Sequence, residues 1–270
     1  MQPDSESAVE RARSATAEEL KSLLHGAGEE VLRALLENPH LGEPHVLRML
    51  ERLDLPAPVV AAIAEEGKWT SSESVRLRLA RHPQTPKRLA LAAVRRLFLF
   101  DLVRLSLLPS APADIRRVAE EVILMRVPHL AIGEKLTLAR RGPARVTGAI
   151  LAEGHPQAIK LALANAFLTE SQVLKVLAKA GVPERVVAAV AQHPKWSSQY
   201  NIRIALVRNP HTPAAAVESF LLQLTLGDLN QIARLDGLAP HLKKQLGDEL
   251  LRRSTGGEMA ARGSAAREIG

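Results

Sequence analysis

Apolar residues in this chain fall in short blocks, and the blocks are separated by prolines. In 75–80, Val75, Leu77, Leu79 and Ala80 are apolar while Arg76, Arg78 and Arg81 are not. In 202–207, Ile202, Ile204, Ala205, Leu206 and Val207 surround Arg203. Helices so nearly continuous in apolar positions are buried on more than one side, as in the inner row of a helical stack. A short alternating strand produces the same local pattern. The flanking caps, the block length and the scarcity of Tyr and Thr favour helix. The greasiest stretch, Leu97 to Leu108, is too short to span a bilayer and carries Asp101 and Arg104, which predicts a buried helix.

The proline elbows have a mechanism. Pro83 and Pro210 lack an N–H and clash with the preceding turn, so a helix stops at or before His82 and Asn209. Thr85 and Thr212 are expected to cap the next helix, with Pro86 and Pro213 at its first position. Ser71, Thr169 and Ser197 are further expected caps. Gly142-Pro143 reads as another elbow and Asp236-Gly237 as a turn. The result is a series of helices of roughly 8–14 residues.

The chain also resembles itself. Shifted by 127 residues, 35–126 lies on 162–253 without a gap, and 29 of the 92 pairs are identical. An Ala/Leu-rich chain gives on the order of a tenth by chance, so the match marks a repeat. Lys68-Trp69 falls on Lys195-Trp196, Arg76 on Arg203, Arg81 on Arg208, and Asp101 on Asp228. Smaller units recur within each half: 75–94 resembles 202–221, and 31–50 resembles 158–177. Residues 127–161 read as a helical linker inside a single array over 19–253. Residues 1–18 and 254–270 read as flexible ends, the first acidic and the second rich in Gly, Ser and Ala.

The pattern V-R-x-x-L-A-x-[HN]-P-x-T-P-x-x-x-L at 75–94 and 202–221 resembles the variant leucine-rich repeat and related HEAT-like repeats of bacterial α-solenoid proteins. The resemblance covers 30–255 and implies an all-α, right-handed superhelix, here as two tandem copies offset by 127 residues. The variant-repeat protein carries an N-terminal cysteine-rich iron–sulfur segment. This chain has no cysteine, so that feature is not carried over. The resemblance implies a binding surface and no reaction.

Composition adds limits. The absence of cysteine excludes disulfides, Cys-ligated zinc and a cysteine nucleophile. Residues 1–18 have no apolar core of a secretory signal, which points to the cytoplasm. Net charge is +7, but unevenly spread: residues 1–68 carry 7 basic and 13 acidic side chains, and residues 69–145 carry 15 and 6. Such a basic middle permits contact with an acidic or anionic partner.

Candidate binding residues follow from the duplication. Lys68, Trp69, Lys195 and Trp196 offer either stacking platforms or plugs between helices. Arg76, Arg81, Arg203 and Arg208, with Arg140 and Arg141, form either a basic ladder for phosphates and acidic side chains or a set of helix-end bonds. His82 and His193 sit at elbows where Asn also occurs, which predicts local hydrogen bonding. The nine histidines show no metal-site spacing, and no nucleophile elbow, phosphate loop or carboxylate motif is present. No catalytic residue, metal or cofactor is therefore expected. The reading is a non-catalytic helical-repeat scaffold whose concave face binds a protein with an acidic surface. The alternative is a nucleic-acid-binding HEAT-like protein, in its sharper form a DNA glycosylase-like repair factor.

Overall fold

The structure is a computed structural model, and it describes residues 3–24, 27–235, 238 and 240–265. Those residues form twenty α-helices and one 3-10 turn, with no strand. The chain divides into two compact units, Met1–Pro128 and His129–Gly270.

The first unit contains α1 (Pro3–Ser14), α2 (Ala17–Leu23), α3 (Glu29–Leu36), α4 (Glu43–Met49), α5 (Ala57–Glu65), α6 (Gly67–Thr70), α7 (Glu73–Arg81), α8 (Lys87–Arg95), α9 (Leu99–Leu107) and α10 (Ala113–Arg126). The second contains α11 (Ile132–Arg141), α12 (Ala144–Glu153), α13 (Pro156–Leu163), α14 (Glu170–Leu177), α15 (Glu184–Gln192), α16 (Pro194–Ser197), α17 (Tyr200–Arg208), α18 (Ala214–Leu221), α19 (Leu226–Ala233) and α20 (Pro240–Ala265). Helices α15, α16 and α17 have the lengths of α5, α6 and α7, and each begins 127 residues later.

Within a unit, alternate helices pack in succession. In the first, α1 lies on α3, α3 on α5, α5 on α8 and α8 on α10, while α4 lies on α7. In the second, α11 lies on α13 and α13 on α15, while α12 lies on α14 and α14 on α17. Apart from α20, the helices are too short to be stable alone, so burial against neighbours holds them. Val59, Val60 and Ile63 of α5 are fully buried, as are Val186, Val187 and Val190 of α15.

A helix leaves its last carbonyls without intrahelical partners, and glycine in the left-handed region is the usual remedy. Among the described residues only Gly154 and Gly181 have positive φ. Here a polar side chain from the following hairpin does the work instead. Asn38, just past α3, donates to Ala12 O and Ala15 O at the end of α1. Asn165, just past α13, donates to Ala139 O and Gly142 O at the end of α11. His82 Nε2 lies 2.8 Å from Arg52 O beyond α4, and Asn209 donates to Leu177 O at the end of α14. Arg126 reaches Leu97 O and Arg95 O past α8, and Arg253 reaches Leu224 O, Leu222 O and Leu221 O past α18.

The elbow residue also turns its own loop. Asn38, Asn165 and Asn209 each accept, through Oδ1, the backbone N–H two residues on. His82 accepts from Gln84 N through Nδ1, which leaves the proton on Nε2 to bond Arg52 O. His and Asn interchange at this position because each offers an acceptor near the backbone and a donor farther out.

Several expectations are corrected. Thr85 and Thr212 do not cap the helices that follow them. The N-cap residues are Pro86 and Pro213, and the Thr212 hydroxyl donates to Leu206 O, backwards into the elbow. Ser72, not Ser71, caps α7 by accepting from Val75 N, and the Ser71 hydroxyl bonds Lys68 O. Thr169 is the N-cap residue of α14 but makes no capping bond, and Ser197 lies inside α16. The segment 1–18, expected to be loose, contains α1, whose Ala12 is fully buried against the rest of its unit. The segment 127–161 is helical, as expected. It supplies α11, α12 and most of α13, which pack on one another inside the second unit. Helix α20 runs on through 254–265, the start of the expected tail. The turn at Asp236-Gly237 and residues 266–270 lie outside the described residues. The greasy stretch forms α9, with Leu102 and Leu105 buried, although Phe98 and Phe100 are exposed. No described helix is long and apolar enough to cross a membrane.

Candidate functional site

The duplicated Lys-Trp pairs sit in one-turn helices, α6 and α16. Both indoles are buried, Trp69 to 5% and Trp196 to 2% exposure. The Trp196 N–H donates to Leu163 O at the end of α13. Each ring is also covered by its neighbouring lysine: Lys68 Nζ lies 4.4 Å from the Trp69 centroid and Lys195 Nζ 4.2 Å from that of Trp196. A stacking base would need the face the lysine occupies. The rings therefore act as plugs, and the ammonium groups remain at the surface.

The arginines divide by environment. Arg76 is buried, donates to Thr70 O and Ser71 O, and is ion-paired with Glu73. Arg203, half-buried, donates through Nε to Ser197 O. Arg81, Arg140 and Arg141 are exposed at the ends of α7 and α11. Arg208 is exposed and lines a cavity of about 470 Å³ with Lys179 and His211. The duplicated Arg76 and Arg203 are thus helix-end ligands first, which accounts for their recurrence.

A larger groove, of about 630 Å³, lies between α13 and α15 in the second unit. Its floor includes Ile159, Leu163 and Ala189, and its walls carry Lys160, Arg185 and His193. Helical spacing places them there. Arg185, Ala189 and Gln192 are four and three residues apart on α15, so they share one face, while Val186, Val187 and Val190 face the core. Gly154 ends α12 at φ 76°, and a Cβ there would come within 2.7 Å of Pro183 Cγ. The bare backbone lets the start of α15 close on the end of α12 and fixes Arg185 at the groove. No carboxylate lines the groove, and both Lys160 and Arg185 are exposed.

The same positions in the first unit, 127 residues earlier, have a different charge. Lys160 corresponds to Arg33, which pairs with Glu29 at 3.2 Å; Gln192 corresponds to Glu65, which pairs with Arg88 at 3.2 Å; His193 corresponds to Glu66. At these positions the first unit is acidic, with Arg33 and Glu65 both ion-paired. The second is cationic and open.

His193 joins α15 to α16. Its ring is tilted against Trp196 at 6.4 Å between centroids, and its Nδ1 is buried with no hydrogen-bond partner among the described residues. Burial, with a smaller contribution from the Lys195 charge, holds its pKa below the ordinary histidine range, so the ring is neutral at neutral pH. Unlike His82, it makes no side-chain elbow bond.

Sequence reasoning missed Lys160 and Arg185. Their signal lies in the differences between aligned halves: Pro58 gives way to Arg185, the paired Arg33 to Lys160, and Glu65 and Glu66 to Gln192 and His193. The duplicated residues report packing. No protein-family model, curated protein or solved structure matches this chain.

Proposed function

We propose that the chain is a non-catalytic helical-repeat protein, a duplicated α-solenoid of the variant leucine-rich or HEAT-like kind, that binds a protein partner through the α13–α15 groove. The recurrence of helix lengths and of helix-end bonds 127 residues apart supports the duplication. The partner is a protein segment with acidic side chains flanking an aliphatic one. The observation that carries this reading is the groove itself: an apolar floor between Lys160 and Arg185 with no carboxylate to neutralise them. An aliphatic side chain would bury on Ile159 and Leu163, and carboxylates would pair with the two cations at the rim.

The nucleic-acid alternative is weaker, because both Trp rings are buried under lysines and offer no free face. The test is fluorescence anisotropy with two probes, a labelled peptide of alternating Glu and Leu and a labelled duplex DNA. The peptide should bind saturably, and Lys160→Glu/Arg185→Glu should weaken it at least tenfold while leaving thermal unfolding unchanged. Peptide binding unaffected by the double substitution, or binding of duplex DNA alone, would reject the proposal.

A further inference from the structure

A further pocket of the second unit lies between α16, α17 and α18. It is about 320 Å³ in volume and is lined by Arg203, Ser219, Gln223 and Phe220, with Ser197 and Ser198 at one side. The corresponding positions of the first unit enclose only about 50 Å³ around Arg76. Leu89 corresponds to Ala216 and Arg96 to Gln223, both smaller, while Ala93 corresponds to the larger Phe220.

The charge changes with the space. In the first unit Glu73 is ion-paired with Arg76 and also accepts the Phe98 N–H, capping α9. In the second unit the position of Glu73 is taken by Tyr200. Its hydroxyl accepts the Thr225 N–H, so the cap of α19 is retained. The carboxylate is not. Arg203 keeps the helix-end bond to Ser197 O through Nε and has no acidic partner among the described residues. Glu218, on the same helix as Ser219, accepts instead from Gln245 on α20.

A half-buried guanidinium held by a backbone carbonyl at Nε presents its two Nη groups as a fork, and a fork without a carboxylate selects an oxyanion. We propose that Arg203 is the centre of an oxyanion site for one phosphate or carboxylate group, with the Ser219 hydroxyl as a further donor. The site stands apart from the α13–α15 groove: the two share no lining residue. Its ligand replaces the internal carboxylate that Glu73 supplies in the first unit.

Isothermal titration of the full chain with inorganic phosphate, and separately with acetate, tests this. One saturable site per chain is expected. Tighter binding of phosphate would assign the site to a phosphoryl group, and tighter binding of acetate to a carboxylate. Arg203→Gln should lower affinity at least tenfold. Ser219→Glu, a change at an exposed helical position, should do the same with the fold intact, by placing a carboxylate beside the guanidinium. Lys160→Glu/Arg185→Glu should leave anion binding unchanged, so the fate of this site is read separately from that of the groove. No saturable binding by the unaltered chain, or binding that survives Ser219→Glu with an unchanged far-UV circular dichroism spectrum, would overturn the proposal.

Discussion

Asn165 ties three pieces of backbone with one amide. Its donors reach Ala139 O and Gly142 O at 2.9 and 3.1 Å, and its oxygen accepts from Phe167 N at 2.7 Å. The side chain is 2% exposed, so water cannot replace it. Asn165→Ala strands buried carbonyls and should destabilise the chain by about 1–3 kcal/mol, measured by urea unfolding. A loss no larger than that of an exposed substitution would contradict this account. His193 gives a pH signature. Its folded pKa lies below the unfolded value, so the unfolded chain binds more protons between the two. Stability should therefore fall as pH drops below about 6.5 and level off once the folded value is passed. His193→Gln should flatten that slope in unfolding curves taken from pH 7.5 to 5. An unchanged slope would assign it to other groups. The elbow bonds of His82 were legible from sequence because His and Asn alternate at matched positions. His193, expected on the same ground to bond locally, does not: its matched position carries Glu66 rather than Asn, and its Nδ1 is buried without a partner among the described residues.

Helix boundaries were legible wherever a proline stops a helix. Their caps were less so. Thr85 and Thr212 precede prolines in a way that imitates a cap, yet proline itself takes the N-cap place. The hydroxyl of Thr212 serves the preceding helix. Thr225, by contrast, accepts from Asp228 N and donates to the Asp228 carboxylate at 2.6 Å. The Thr225 and Tyr200 hydroxyls hold that carboxyl below the usual range. Thr225→Ala should cost about 1 kcal/mol, as for other lost N-caps, while Thr85→Ala should cost less because the Thr85 hydroxyl has no partner. Equal losses at the two sites, by thermal unfolding, would count against this division. The C-terminal ends were invisible in the sequence. Arg126 and Arg253 match across the halves, but nothing near them in the chain names carbonyls 29 residues away.

At the scale of the whole molecule, the two units carry the same helical plan with different surfaces. The basic middle of the sequence was legible by counting. The open cations of the α13–α15 groove were not, because Lys160 and Arg185 are 25 residues apart and converge only when α13 packs on α15. The peptide bound there should weaken as salt rises, since both rim cations are exposed to screening. Anisotropy titrations at about 0.05 and about 0.5 M salt should show a severalfold loss. Salt-independent affinity would place the binding energy on the apolar floor alone. The helix-end bonds share one direction. Asn38, His82, Asn165, Asn209, Arg126 and Arg253 all reach backwards, to carbonyls 23 to 32 residues earlier in the chain. A ribosome extrudes the earlier helix first, so each clasp finds its acceptor already made when the clasping residue emerges. The array can be locked from its N-terminal end while synthesis continues, each hairpin closing the helix ends of the one before it as it emerges.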